Sequence, residues 1–333
     1  MFVAALAIVL AVPSSGAWAQ KPTHTRPVVT VLNDTALGGL GSGSTIGPDG
    51  ALYVTNGNAG TLVRIDPRNG SETLVGRGLP PQVVGVGGAM DVAFIGHRAY
   101  VLVTLAGADV GFPDAVMGIY RLNRNGTFSV FADLGTWSAD HPPADPDWFL
   151  AQGVQYSLEV WRDGFLVADS HLGRLIRVDS RGNINELVGF PSTDSVPTGL
   201  EVADGKVLVA TAGPIPHLPS DSAISKVRRN GSTTVVGTWA ADYPGDRGLI
   251  VDVEQGPHDR LYGLLQGHWD LEPTPENEGR PAVPNTGQIV AVGADGSFAT
   301  VVSGLNQPTS LELVGRVGFV VTYSGTILRI DRF

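Results

Sequence analysis

The chain reads as an all-β, six-bladed β-propeller of four-stranded antiparallel blades, and three observations predict it. First, a phrase of the type apolar-x-basic-apolar, followed within a few residues by Gly, recurs along the chain in six copies, of which the fifth is weaker, with Ala in the basic place, and the last has no Gly after it. Second, each copy is flanked by short alternating apolar segments with Asn-Gly or Asp-Gly turns between them, the pattern of antiparallel hairpins. Third, the spare strand needed to close a ring lies before the first copy, while the last unit is one strand short. Four-stranded units repeated radially leave few open sheet edges.

The copies are Leu62-Val63-Arg64-Ile65, Ile119-Tyr120-Arg121-Leu122, Leu175-Ile176-Arg177-Val178, Ile224-Ser225-Lys226-Val227, Ile289-Val290-Ala291-Val292 and Ile327-Leu328-Arg329-Ile330. Each is the third strand, c, of a unit. Upstream lie strand b segments such as Leu52-Tyr53-Val54 and Phe165-Leu166-Val167-Ala168, then strand a segments such as Leu158-Glu159-Val160 and Leu311-Glu312-Leu313. Downstream come strands d, such as Glu72-Thr73-Leu74-Val75 and Phe128-Ser129-Val130-Phe131. Asp49-Gly50, Asp163-Gly164 and Asp204-Gly205 supply a–b turns. The final unit ends at Phe333, and Val28-Val29-Thr30-Val31-Leu32 is expected to complete it as its outer strand. Four Asn-x-Ser/Thr triplets occur, at Asn33, Asn69, Asn125 and Asn230; three are Asn-Gly turns, so no glycosylation is predicted.

Composition agrees. Hydrophobic residues make up 43% and charged residues 16%, enough for a large core, and 44 Gly and 23 Pro suit many turns. Residues 2–12 form an apolar run too short to span a bilayer, followed by Ala17-Trp18-Ala19, a small-x-small cleavage pattern. Residues 1–19 are therefore read as a signal peptide and 20–333 as one propeller domain outside the cytoplasm. The basic stretch that usually opens such a peptide is missing; a buried N-terminal strand is the alternative. No later segment reads as a transmembrane helix. The net charge of −10 argues against nucleic acid as a partner. There is no cysteine, hence no disulfide and no thiolate metal site. A monomer is expected.

In such a ring the a–b and c–d turns share one face, and the b–c and d–a connections share the other. The first class is short here. The second carries long inserts at 106–118, 212–221 and 267–287, and a d–a connection at 137–153 with Asp140, His141, Asp145, Asp147, Trp148 and Phe149. Long loops on a rigid scaffold mark the functional face; oligomer contact or drift is the other reading. His171, His217 and His268 fall in the b–c connections of three consecutive blades, and His141 in the neighbouring long loop. Three imidazoles from equivalent positions can converge on one divalent or transition metal ion, with Asp140 and Asp169 orienting them. Equally, they can be loop histidines bonding backbone carbonyls. Tyr156, Thr198 and Thr309 stand at the channel mouth and, with His141 and Trp148, are candidate ligand contacts. Inner strands carry Asp91, Glu159, Glu201, Asp252 and Glu312, and strands c carry Arg64, Arg121, Arg177, Lys226 and Arg329; ion pairs between the two sets are expected.

Gly88-Ala89-Met90-Asp91-Val92-Ala93-Phe94, Gly153-Val154-Gln155-Tyr156-Ser157-Leu158-Glu159, Val196-Pro197-Thr198-Gly199-Leu200, Ala212-Gly213-Pro214-Ile215-Pro216-His217-Leu218-Pro219, Pro284-Asn285-Thr286-Gly287 and Pro308-Thr309-Ser310-Leu311-Glu312 together resemble the ScyD/ScyE family of secreted bacterial propellers. The resemblance covers the whole chain after residue 20. It implies the propeller fold and an extracytoplasmic address, and little chemistry. NHL-repeat, gluconolactonase-like and streptogramin-lyase-like propellers are wider kin by blade pattern, some with a divalent metal at the channel mouth. A gluconolactonase-like site would want Asn or Asp where Thr198 and Thr309 stand. No Gly-x-Ser-x-Gly elbow or phosphate loop is present, which speaks against nucleophilic hydrolysis and nucleotide chemistry. Three functions stay open: a small-molecule or partner-binding propeller, a metal-dependent lyase, hydrolase or oxidative-coupling enzyme, and a structural protein-interaction propeller.

Overall fold

A computed structural model describes residues 26–34, 41–83, 85–143, 150–190, 195–214, 217–228, 230–272, 274, 277 and 280–333. The segment read as a signal peptide lies outside them, as does Trp148. Strand β1 (Val28–Asn33) precedes the first blade. Blade one comprises β2 (Gly41–Ile46), β3 (Leu52–Asn56), β4 (Thr61–Ile65) and β5 (Glu72–Arg77). Blade two comprises β6 (Gly88–Ile95), β7 (Arg98–Thr104), β8 (Gly118–Leu122) and β9 (Phe128–Asp133). Blade three runs through β10 (Gln155–Trp161), β11 (Gly164–Asp169), β12 (Arg174–Val178) and β13 (Ile184–Gly189). Blade four holds β14 (Pro197–Ala203), β15 (Lys206–Thr211), β16 (Ala223–Val227) and β17 (Thr233–Thr238). Blade five holds β18 (Arg247–Gln255), β19 (Leu261–His268), β20 (Gly287–Val292) and β21 (Phe298–Leu305). Blade six is β22 (Pro308–Val314), β23 (Val317–Thr322) and β24 (Ile327–Asp331), completed by β1.

All six copies of the repeated phrase are strand c of their blade. The closing strand pairs antiparallel with β24, Val29 opposite Ile330 and Val31 opposite Leu328. Asn33 then donates from Nδ2 to the Gly70 carbonyl at 2.8 Å, pinning the closure to blade one. The Asn-Gly turns are Asx turns: Asn69, Asn125 and Asn230 accept from the backbone N–H two residues on.

Burial follows position in the blade. Strand b lies between neighbouring blades on both faces, so it reads as a nearly continuous apolar run; β11 is buried at every residue. Strand d is the outer edge and exposes Leu74, Val130 and Val235. Among the described residues the apolar core is six clusters, one at each blade–blade interface, rather than one central core. Tyr100, Phe131 and Phe165 pack edge-on or tilted across the interface of blades two and three, with centroids 4.8–6.1 Å apart. Besides three short 3₁₀ turns, one α-helix among the described residues escapes the strand-only expectation. Helix α1 (Leu134–Asp140) opens the long connection from blade two to blade three, N-capped by Asp133, which accepts from the Thr136 N–H.

Candidate functional site

The six inner strands share one irregularity. In each, the pairing with strand b slips at the same level: between Gly41 and Ser44, Ala89 and Asp91, Gln155 and Ser157, Pro197 and Gly199, Ile250 and Asp252, and Pro308 and Ser310. A bulge leaves one residue unpaired and re-aims it. The residues so displaced are Ser42 with Gly43, Met90, Tyr156, Thr198, Val251 and Thr309, and all of them line one cavity at the channel mouth. Close approach of blades one and two at this level requires Gly43, where a Cβ would sit 2.3 Å from Asp91 Oδ1.

The cavity encloses about 1250 Å³ of empty space, part of it open to solvent. Its rim comes from the long-loop face: His217 of blade four, Trp269 and Arg280 of the blade-five insert, and Tyr323 of blade six. The insert is tied down. Trp269 Nε1 donates to the Arg280 carbonyl at 3.1 Å, Gln266 Oε1 accepts from the Ala282 N–H at 2.8 Å, and Gln307 Nε2 donates to the Ala282 carbonyl at 2.6 Å. Tyr323 donates its hydroxyl to the Gly85 carbonyl at 2.8 Å.

Below the rim the wall is acidic. Asp91, Glu159, Asp252, Glu254 and Glu312 line the cavity. Asp91 accepts from the N–H of Val92 and, across the blade interface, of Leu158, at 2.8 and 2.7 Å. Asp252 repeats the pattern on the opposite side with Val253 and Leu311, at 2.9 and 2.8 Å. Burial nevertheless pushes the Asp91 carboxyl up to about 7. Burial, then repulsion from Glu201 and the other acids, pushes Glu159 up to about 8. The same causes hold Glu254 and Glu312 well above the usual carboxylate range. Asp252 is also held well above it, by burial first, and burial raises Glu201.

The expected partners of these acids are elsewhere. Arg64 bonds Asp49 at 2.6 Å, Arg177 bonds Asp163 at 3.2 Å, and Arg329 bonds Asp331 at 2.8 Å. Arg64 and Arg177 thus pair with carboxylates of the a–b turns, on the far face. The register gives the reason. Glu159 and Arg177 both stand opposite Leu166, and Glu312 and Arg329 both stand opposite Phe319. Those middle residues are 0% and 3% exposed, so a packed apolar side chain separates acid from base and the guanidinium turns outward. The inner acids remain without an arginine partner among the described residues.

Of the residues singled out from sequence, Tyr156, Thr198, Thr309 and His217 line the cavity. Two of them also stitch blades together. The Thr198 hydroxyl donates to the Ile250 carbonyl at 2.7 Å and the Thr309 hydroxyl to the Gly41 carbonyl at 3.2 Å. His141 is not in the cavity wall: it stacks on Trp137 at 4.7 Å, with Nδ1 2.8 Å from the Trp137 carbonyl. The three histidines considered for a metal are each held within their own surroundings. His217 Nδ1 is 2.9 Å from the Gly213 carbonyl, and the ring meets Trp269 edge-on at 5.4 Å. His268 Nδ1 is 3.0 Å from the Asp246 carbonyl. His171 is largely buried, and burial lowers its pKa to about 4. Among the described residues no three His, Cys, Asp or Glu side chains are grouped to hold a metal ion, so these histidines do not fit the shared-metal arrangement. Asp169, expected to orient a histidine, has Arg174 as its ionic partner among the described residues. It is fully buried against Arg174 at 3.2 Å, and Arg174 also donates to the His141 carbonyl at 2.6 Å and lies over the Trp137 ring. That cluster anchors the long connection between blades two and three.

Glu254, Ser42, Trp269, Gln266 and Tyr323 escaped the sequence reading. Glu254 was accessible to it: it stands two residues after Asp252 and so shares its face of the strand. Ser42 lies in Gly41-Ser42-Gly43-Ser44, which has no apolar alternation to mark it as a strand.

No family model matches the chain, and no curated protein matches its sequence. Solved structures do resemble it. Virginiamycin B lyase from Staphylococcus aureus is 15% identical, with 92% of this chain and 100% of that one covered and a TM-score of 0.55. A gluconolactonase from Xanthomonas campestris is 11% identical over 92% and 89% of the two chains, TM-score 0.59. The PQQ-bound aldose sugar dehydrogenase from Streptomyces coelicolor is 13% identical over 92% and 98%, TM-score 0.57. At such identities the likeness establishes the six-bladed propeller, shared by proteins of three different chemistries.

Proposed function

We propose that this protein is an extracytoplasmic propeller that binds a small molecule in the cavity at its channel mouth. The observation that carries the reading is the repeated bulge, which turns a residue from every inner strand toward one cavity whose rim includes Trp269 and Arg280. A concave, mostly preformed site with mixed apolar and polar walls is what small ligands need. The signal-like N-terminus and the resemblance to the ScyD/ScyE family support the address. A screen of small metabolites by thermal shift, followed by tryptophan fluorescence, tests the reading. Bound compounds are expected to lose at least about tenfold in affinity in Tyr156→Ala, which removes a wall without touching the rim. Hits that bind Tyr156→Ala unchanged, or a silent screen, refute it; a silent screen with 267–287 protected from proteolysis by a protein partner favours an interaction propeller.

A second reading is favoured by the acids. A carboxyl poised near neutrality in a cavity is suited to general acid–base work. In that case Asp91 or Glu159 moves a proton on the bound molecule, and turnover shows a limb near pH 7–8 that disappears in Glu159→Gln or Asp91→Asn.

A further inference from the structure

On the face opposite the channel mouth, blade two breaks the charge pattern of its neighbours. In blade three the a–b turn is Arg162-Asp163, enclosed by Trp161 opposite Gly164, and Asp163 neutralises Arg177 of strand c at 3.2 Å. In blade one Asp49 does the same for Arg64 at 2.6 Å. The c–d turns of these two blades open on a further carboxylate residue, Asp66 and Asp179, whose carbonyls accept from the glycine N–H that closes each turn.

Blade two lacks both acids. Its a–b turn is Gly96-His97, enclosed by Ile95 opposite Arg98, so His97 stands where blade three has Asp163. Its c–d turn opens on Asn123, whose carbonyl accepts from the Gly126 N–H. The basic residues remain or are added. Arg121 stands opposite Tyr100 as Arg177 stands opposite Leu166, and Arg98 and Arg124 flank it in the two turns. Residues 94–100 and 121–129, which build this edge, contain no Asp or Glu. Arg98, Arg121 and Arg124 have no ion-pair partner among the described residues. Strand β5 packs against the c–d turn and brings another cation, Arg77, whose N–H donates to the Gly126 carbonyl at 3.0 Å; its acid, Glu72, stands at the other end of the strand.

A second feature is a matter of shape. His97, Arg98, Asn123 and Arg124 line one cavity between the two turns, over Tyr100 and Leu122, with about 910 Å³ of space, part of it open to solvent. We propose that this cavity is an anion site whose ligand is a phosphate group, held by Arg98, Arg124 and His97 with the charge of Arg121 beside them. A guanidinium presents a rigid fork of N–H donors that matches phosphate and carboxylate oxygens, and it keeps its charge at every physiological pH. Two such forks and an imidazole offer more donors than the two oxygens of a lone carboxylate engage, whereas a phosphate monoester has three terminal oxygens and close to two charges. An ammonium or a metal ion would meet like charge. The site lies away from the cavity at the channel mouth, so it stands or falls separately from the small-molecule reading.

The test uses the full chain without its first 19 residues, at low ionic strength. Calorimetry reads inorganic phosphate, glycerol phosphate and acetate. Co-sedimentation reads vesicles of phosphatidylcholine alone or mixed with an equal part of phosphatidic acid. Phosphate is expected to bind at least about tenfold tighter than acetate and to weaken as salt is added. Arg98 and Arg124 are exposed, and replacing either by Ala should weaken phosphate by about tenfold, the size of one charge-assisted hydrogen bond. His97→Asp restores the carboxylate of blade three. It should abolish binding without lowering the Tm, because it gives Arg121 the partner that Arg177 has, and so it separates a lost site from a lost fold. Free phosphate or glycerol phosphate bound with vesicles ignored supports a soluble phosphate; phosphatidic acid vesicles bound with free phosphate ignored supports a lipid headgroup. Acetate bound as tightly as phosphate overturns the phosphate class. Binding indifferent to all three variants, or silence of every probe, overturns the site.

Discussion

Replacing Glu159 by Gln removes one ionisable group from the axial wall at almost constant volume, and its effect should reverse with pH. In the folded chain burial, then repulsion from neighbouring acids, holds this carboxyl at about 8 against an ordinary value of 4.5. The unfolded chain ionises first as pH rises. Between those two values the folded state binds one proton more than the unfolded state, so stability falls with rising pH by about 1.4 kcal/mol per pH unit. The contribution is intact below about pH 4.5 and lost once pH passes about 8. Over that interval the loss reaches up to about 5 kcal/mol. Gln carries none of it. For roughly 300 folded residues, unfolding entropy near 2.1 cal/mol/K per residue makes this about 8 °C in Tm. Calorimetric melts of wild type and Glu159→Gln from pH 4 to 9 are the assay. The two should melt within a degree or two of each other at pH 4, with the variant several degrees above wild type at pH 8.5. A gap independent of pH, or a variant less stable than wild type at pH 8.5, refutes the placement of Glu159 as a buried acid without a cationic partner.

Deleting residues 27–33 should lower the Tm of the whole ring in a single cooperative transition, because β1 supplies the outer strand of blade six; an unchanged Tm counts against closure by this strand. Arg174→Ala leaves Asp169 buried without its guanidinium and frees the Trp137–His141 anchor, so a loss of about 3–5 kcal/mol and faster proteolysis within 137–153 are expected in urea melts and limited digestion. Gly153→Ala should destabilise through both a backbone φ of +71° and a Cβ only 2.4 Å from Asp169 Oδ1, read as a lowered urea midpoint.

The blades were legible because their signals are local. Leu175-Ile176-Arg177-Val178 and its five counterparts carry strand alternation and a turn within ten residues, and a strand missing at one end with a spare at the other states the closure. The long-loop face followed from counting residues between strands, and three of the displaced inner-strand residues, Tyr156, Thr198 and Thr309, were found from their place just before the acids. What failed was the pairing of the inner acids with the basic residues of strand c. Arg177 and Glu159 are aligned in register and still do not touch, because Leu166 fills the space between them and Asp163 offers a nearer, wetter partner. His171, His217 and His268 occupy equivalent loops, but His217 turns to the Gly213 carbonyl and His268 to the Asp246 carbonyl of another connection. Periodicity and turn chemistry act over a few residues and are written along the chain. Whether a buried acid finds a base, or a histidine finds another histidine, depends on side-chain packing and on the slip of one residue in each inner strand. Those are settled only when six sheets pack around an axis, and that packing is what gathered five carboxyls around one cavity.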